Sequence, residues 1–185
     1  MNTSNTTNRT SPFVIMIYVL ALLWLITLAS LFLPINNYGI IPRNISGLKG
    51  VIFSPFIHSY PFHLIANSLS LYILGIILIS LERNRTILII VHIIIWGGLG
   101  TWLIGRGGTV HVGSSGVIYG IMGYLFSVGI FNRNFKTIII SLITFFLYGG
   151  AIWGIFPSRS FISWEAHLCG LISGVMIAKM YSKSH

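Results

Sequence analysis

Two short polar motifs open apolar stretches of this chain and carry side chains suited to hydrolytic chemistry. The first motif, Gly-Ser-Ser-Gly, runs from Gly113 to Gly116 and places Ser115 at the start of an apolar run. The second motif, Ala-His-Leu-Cys-Gly, opens another apolar run much later and carries His167. A serine hydroxyl becomes a good nucleophile when a neighbouring base takes its proton, and an imidazole is a common base. Together the motifs predict a nucleophile and its base inside a membrane.

Composition indicates a polytopic membrane protein. Of the 185 residues, 55% are hydrophobic and 7% are charged, and the mean hydropathy is +0.88, which is unlike a soluble domain. The formal net charge of +9 comes from Lys and Arg scattered between apolar runs. Because no basic stripe or RNA motif is present, we expect no nucleic-acid partner. The single Cys169 fits none of the usual metal spacings, so the sequence indicates no disulfide, metal site or other cofactor.

Six apolar runs are long enough to cross a hydrocarbon layer of about 30 Å at about 1.5 Å per helical residue. The sequence therefore predicts an all-α bundle of six transmembrane helices over residues 12–181, between tails at 1–11 and 182–185. The predicted spans are 12–33, 61–81, 86–105, 113–131, 135–156 and 163–181.

The basic residues predict the orientation of the bundle, because cytoplasmic connections carry an excess of Lys and Arg. Seven basic residues lie on the side of the two termini and four on the opposite side, which places both termini in the cytoplasm. The second, fourth and sixth spans then all run inward from the outer surface. The seven are Arg9, Arg83, Arg85, Arg133, Lys136, Lys179 and Lys183, and the four are Arg43, Lys49, Arg106 and Arg159.

Because the second, fourth and sixth spans run in the same direction, four polar side chains lie at similar depth below the outer surface. They are Ser115, His167, His63 and Asn67, each in the first turns of an inward-running span. Taken singly, a membrane serine commonly bonds back to its own helix and a membrane histidine commonly cross-links helices. As a group at one depth, they predict a functional site.

Glycines on two of these spans favour close approach of the helices. Gly116, Gly120 and Gly123 share one face of the fourth span, and Gly170 and Gly174 form a small-xxx-small pair on the sixth. Such surfaces let helices approach more closely than the usual 8–10 Å or so. Ordinary packing would use the same glycines, so they support the serine–histidine pair without proving it.

From about residue 50 onward the chain resembles the rhomboid intramembrane serine proteases. The resemblance implies cleavage of peptide bonds in or beside transmembrane segments of other membrane proteins, with those segments and the lipid bilayer as partners. It also implies a multi-pass cell-membrane protein, and the compact six-span build suggests a bacterial one by analogy. The motifs that carry it are Gly113-x-Ser115-Gly116 with Tyr119, Ala166-His167-x-x-Gly170-x-x-x-Gly174, and His63-x-x-x-Asn67 after Phe56-Ile57-His58.

The residues themselves suggest a catalytic dyad. The chain has no Asp, and its two acids are Glu82 and Glu165, the latter two positions before His167 and off its helix face. A Ser-His-Asp triad is therefore excluded. The resemblance implies that Tyr119 orients the imidazole of His167, although an aromatic residue here would also suit a helix core.

His63 and Asn67, spaced i and i+4, present two donors on one helix face. With the backbone N–H of Ser115 at a helix start they would form an oxyanion hole, and the resemblance implies the same role for both. The alternative is a structural polar clamp between helices. For His58, the resemblance implies a structural role.

The sequence also contains a second serine beside Ser115 and features that bear on other kinds of chemistry. Ser114 is a rival nucleophile by adjacency, but the family motif places the nucleophile directly before the second glycine. Metalloprotease and aspartyl-protease motifs are absent from the sequence.

The chain departs from the family pattern in its first long connection. Residues 34–60 contain Arg43 without the Trp that many rhomboids place beside it. The aromatic residues near 145–153 suit either a substrate gate or a lipid-facing helix. The alternative function is a non-catalytic rhomboid-like protein that binds transmembrane clients.

Overall fold

The computed structural model describes residues 10–157 and 162–182, and over those residues the chain is helical with no β-strand. A 3-10 segment, Gly149–Ile155, directly follows the helix Phe135–Tyr148. The seven helices of the described residues are α1 Pro12–Ala29, α2 Gly50–Phe53, α3 Pro61–Leu81, α4 Thr86–Ile104, α5 Ser115–Asn132, α6 Phe135–Tyr148 and α7 Trp164–Tyr181.

The predicted all-α polytopic bundle is confirmed, because a long helix lies at each of the six predicted spans. Five are long and apolar enough to cross a membrane: α1, α3, α4, α5, and α6 with its 3-10 continuation. The remaining long helix, α7, lies at the sixth predicted span and has 18 residues. It is less apolar, since it carries Glu165, His167 and Lys179. Most of both expected tails lies outside the described residues, as do Arg9, Arg159 and Lys183 of the topology count.

Helix α5 is the centre of the bundle. Some 67% of its residues are buried, against 11–39% in the other four apolar spans. It packs against α3, α4, α6 and α7. Because lipid tails are as apolar as leucine, close packing rather than apolar burial holds such helices together.

Glycines bring α5 and α7 into backbone contact, as the small-residue pattern predicts. A Cβ atom on Gly170 would collide with the carbonyl oxygen of Gly116, and one on Gly174 would collide with that of Gly120. A Cβ atom on Gly123 would meet the carbonyl of Leu171. The two helices therefore approach at the depth of the candidate site.

Several predicted helix ends shift for local reasons. Helix α1 ends at Ala29 rather than 33, shortly before Pro34 disfavours helical backbone. Helix α5 begins at Ser115 rather than 113 because Gly113 has φ +117°, outside the helical region. The α-helix of the fifth span stops at Tyr148, where consecutive glycines weaken helical propensity.

The connection 34–60 contains no Trp, but it is hydrogen-bonded to the end of α4. Arg43 donates from Nη1 to the carbonyls of Leu103 at 3.0 Å and Gly105 at 2.8 Å. Trp102 of α4 donates from Nε1 to the carbonyl of Asn44 at 2.9 Å. Many rhomboids carry a Trp in this connection. Here the indole of Trp102 contacts the connection from helix α4.

Candidate active site

Ser115 is the first residue of α5 and follows a sharply turned loop. The turn is held because Gly113 N–H donates to the carbonyl of Ser54 at 2.9 Å. Gly113 has a positive φ, which suits glycine. A Cβ atom on Gly113 would also collide with the ring of His63. As the first helical residue, Ser115 has a backbone N–H with no acceptor within its own helix, so this group can serve a ligand.

Ser114 faces away from the cavity and contacts His58. Its backbone N–H donates to His58 Nε2 at 3.3 Å, and its Oγ lies 3.1 Å from the same nitrogen. Burial, together with the nearby His63, lowers the pKa of His58 to about 4. A neutral His58 therefore accepts hydrogen bonds that hold the backbone just before Ser115.

A cavity of about 700 Å³ brings together the residues predicted from sequence. Ser115 and His167 both line it, from helices that contact each other through their backbones. Within the described residues no hydrogen bond joins the two side chains, and catalytic hydrogen bonds are often long before substrate binds. His63, Asn67 and Tyr119 line the same cavity.

His167 is oriented by a carbonyl and an aromatic ring. Its Nδ1 lies 2.9 Å from the carbonyl oxygen of Gly154, which can only accept, so Nδ1 carries the proton and Nε2 keeps a lone pair. The imidazole stacks on Tyr119 with centroids 4.1 Å apart and planes 6° from parallel. Tyr119 is held in turn by donating to the carbonyl of Ala151 at 2.7 Å.

Asn67 lines the cavity and carries a buried donor that has no hydrogen-bond partner among the described residues. It lies one turn after His63 on α3, and its side chain is buried at 9% exposure. Among the described residues its Nδ2 has no hydrogen-bond partner. A buried amide left without an acceptor is costly, so a ligand that supplies an oxygen would be favoured here.

Two features of the site were not found from sequence. The Gly154 carbonyl that fixes the imidazole gives no signal, because every residue has a carbonyl. The second feature is an ion pair between Glu165 and Arg106, with Glu165 Oε1 2.8 Å from Arg106 Nε. The sequence did contain a sign of this ion pair. Glu165 is one of two acids in an apolar chain and directly precedes the histidine motif.

Comparison with known proteins decides the family. A family model, the Rhomboid domain, matches residues 45–184. The chain belongs to the rhomboid family. The predicted resemblance is therefore confirmed.

Among curated proteins, uncharacterized proteins of Mycobacterium bovis and Mycobacterium tuberculosis are each 40% identical to this rhomboid over 152 residues. These alignments cover 78% of this chain and 63% of each relative, so the chain spans less than two thirds of their length. A protein of Acanthamoeba polyphaga mimivirus, named as a rhomboid protein, is 29% identical over 174 residues, covering 89% of this chain and 91% of that protein.

Proposed function

We propose that this rhomboid is a serine endopeptidase that hydrolyses peptide bonds in or beside transmembrane segments of other membrane proteins. The observation that supports it is a single cavity lined by Ser115 and His167 together with the unpartnered amide of Asn67. A nucleophile, a base and a free donor are the parts that acyl transfer requires.

In the proposed reaction, Ser115 Oγ attacks the substrate carbonyl carbon while His167 Nε2 takes the hydroxyl proton. The oxyanion accepts hydrogen bonds from Asn67 Nδ2, from His63 and from the backbone N–H of Ser115. The tetrahedral intermediate collapses, the C–N bond breaks, and His167 returns the proton to the leaving amine. Water then attacks the acyl ester with His167 again as base, which releases the new carboxyl terminus and restores Ser115.

The imidazole needs orientation because no carboxylate contacts it. Gly154 and Tyr119 would provide it, the carbonyl by selecting the tautomer and the ring by fixing the imidazole plane. The glycine contact of Gly116 with Gly170, and of Gly120 with Gly174, would hold the two helices near enough for proton transfer.

We place the protease domain at residues 12–181 of a multi-pass cell-membrane protein. Both termini would lie in the cytoplasm, and the cavity would open toward the outer side, because basic residues are more numerous on the side of the termini. The substrates would be membrane proteins whose transmembrane segments reach this cavity.

The test is cleavage of a model transmembrane substrate in liposomes, together with labelling by a fluorophosphonate probe. We expect Ser115→Ala and His167→Ala to lose both cleavage and labelling while remaining folded. Ser114→Ala is the matched control and should keep the label, since Ser114 contacts His58 instead. Cleavage retained by Ser115→Ala would reject this nucleophile, and a wild-type protein that binds the substrate without cleaving it would favour the non-catalytic alternative.

A further inference from the structure

Glu165 is a buried carboxylate that the proposed reaction does not use. Its side chain has 0% exposure, and its Oε1 accepts from Arg106 twice, from Nε at 2.8 Å and from the backbone N–H at 3.1 Å. Arg106 also donates from Nη2 to the carbonyl of Ile162 at 2.6 Å. Only the carboxylate side of this ion pair is buried, since the Arg106 side chain is 35% exposed. Loss of the arginine would leave a buried carboxylate without its compensating charge, which is costly.

A second set of hydrogen bonds runs beside the ion pair. Thr109 Oγ1 donates to the carbonyl of Arg106 at 2.7 Å and lies 2.9 Å from His111 Nε2. His111 Nδ1 lies 2.5 Å from Ser163 Oγ. Because Thr109 has used its only proton, His111 donates from Nε2 to Thr109 and accepts at Nδ1 from Ser163. Burial is the main effect that lowers the pKa of His111, which favours this neutral arrangement.

These contacts join the two chain segments that lead to the nucleophile and the base. Residues 105–113 run directly into Ser115, and residues 162–165 run directly into His167. His167 N–H donates to the carbonyl of Ser163 at 3.2 Å, so the base lies in the first turn of α7. Fixing Glu165 and Ser163 therefore fixes the turn that carries the imidazole.

The backbone contacts between α5 and α7 start beside the candidate residues, where a Cβ atom on Gly116 would lie 3.4 Å from the carbonyl oxygen of Ala166, and continue deeper at Gly170. On the side of the connections, the two segments 105–113 and 162–165 are joined by hydrogen bonds instead. These are the bonds of the Arg106–Glu165 ion pair and those of Thr109, His111 and Ser163, which we call the ion-pair network. Arg106, Thr109, His111 and Ser163 also line the cavity. Movement in this network would therefore reach the reacting groups directly.

We propose that Glu165, through its ion pair with Arg106, is a positioning residue that sets the location of His167 relative to Ser115. This inference rests on the proposed protease function. The carboxylate does not contact the imidazole; it acts through the backbone of the first turn of α7. Its effect should fall on the chemical step rather than on substrate binding, since an error of about 1 Å in a catalytic group can cost about 10²-fold in rate.

The test is Glu165→Gln, because Oε1 alone makes the hydrogen bonds described for this carboxylate and an amide oxygen can replace it without the charge. We expect kcat to fall about tenfold or more while KM stays within about twofold. The matched control is Glu82→Gln, the other acid of the chain, which accepts from Tyr124 at 2.8 Å at the far end of α3. It should leave kcat and KM unchanged.

A double-variant cycle separates a pair from two independent effects. If the two side chains act together, Arg106→Gln with Glu165→Gln should reduce kcat no more than either change alone. Rates are expressed per folded molecule, measured by thermal unfolding in the same detergent. A Glu165→Gln protein with kcat within about twofold of wild type overturns the inference, as does full additivity of the two changes.

A readout independent of catalysis distinguishes this inference from the proposed function. Amide hydrogen exchange over residues 105–113 and 163–167 should be faster in Glu165→Gln and unchanged in Glu82→Gln. If the wild-type protein neither cleaves substrate nor reacts with the probe, the protease proposal fails, and exchange then decides alone. Equal exchange in Glu165→Gln and wild type would overturn the positioning role.

Discussion

At the scale of single residues, the imidazole of His167, the proposed base, is held without a contacting carboxylate. The carbonyl of Gly154 selects the tautomer of His167, and the ring of Tyr119 fixes its plane. A carbonyl dipole offsets less of the imidazolium charge than a carboxylate would. In the proposed reaction, stabilisation of the transition state would therefore depend more heavily on donors to the oxyanion.

Asn67 is the donor whose removal should be most informative. We expect Asn67→Ala to lower kcat by about 10²- to 10³-fold with little change in KM, because its free Nδ2 would bind the oxyanion only as it forms. Steady-state cleavage of the model substrate measures both constants. Asn132→Ala is the control, since Asn132 also has a buried amide atom without a described partner but lies at the opposite end of α5. Equal losses in the two variants would count against an oxyanion role.

His58 should make stability depend on pH. Its pKa is lowered from 6.5 to about 4 by burial and by His63, so between these values the unfolded chain binds the proton more tightly than the folded protein. Stability is therefore full above about pH 6.5 and is lost as the pH falls toward 4. The difference corresponds to an upper bound of about 3 kcal/mol in the free energy of unfolding.

Thermal unfolding of Ser115→Ala protein in detergent between pH 7 and 4.5 measures this dependence. The comparison is the same protein with His58→Gln, whose amide oxygen can still accept from the Ser114 N–H but does not titrate. We expect a shallower pH dependence in the His58→Gln protein. Identical slopes would show that His58 does not contribute.

At the scale of elements, the contact of α5 with α7 sets the distance between Ser115 and His167, the proposed nucleophile and base. A Cβ atom on Gly170 collides with the carbonyl of Gly116, so Gly170→Ala must push the helices apart near the site. We expect reduced thermal stability and a fluorophosphonate labelling rate about 10²-fold lower per folded molecule. Gly150→Ala is the control, because a Cβ atom there meets nothing within 4 Å. Wild-type labelling by Gly170→Ala would contradict the distance argument.

At the scale of the whole molecule, the proposed orientation puts residues 34–60 outside and residues 82–85 inside. Asn37 and Asn84 are exposed residues of these two connections. In a Cys169→Ala background, a membrane-impermeant maleimide applied to intact cells should label Asn37→Cys and spare Asn84→Cys. After permeabilisation both should react. The reverse pattern in intact cells would invert the topology and place the cavity toward the cytoplasm.

The sequence alone determined the membrane class, the number of long helices and their approximate positions, since each depends on a local run of apolar residues. It also predicted that Ser115, His63, Asn67 and His167 begin inward-running helices. Apolarity alone is a weaker guide to α7, because this helix carries Glu165, His167 and Lys179 and packs against α5 through glycines.

Only the tertiary structure decided which groups meet. The Gly154 carbonyl lies 13 residues from His167, and Arg106 lies 59 residues from Glu165. Neither contact follows from local spacing, because each joins α7 to a segment that follows another helix, the 3-10 segment after α6 or the connection after α4. Hydrophobic pattern fixes where a helix lies along the chain, whereas backbone contact between glycines and buried hydrogen bonds fix what surrounds it.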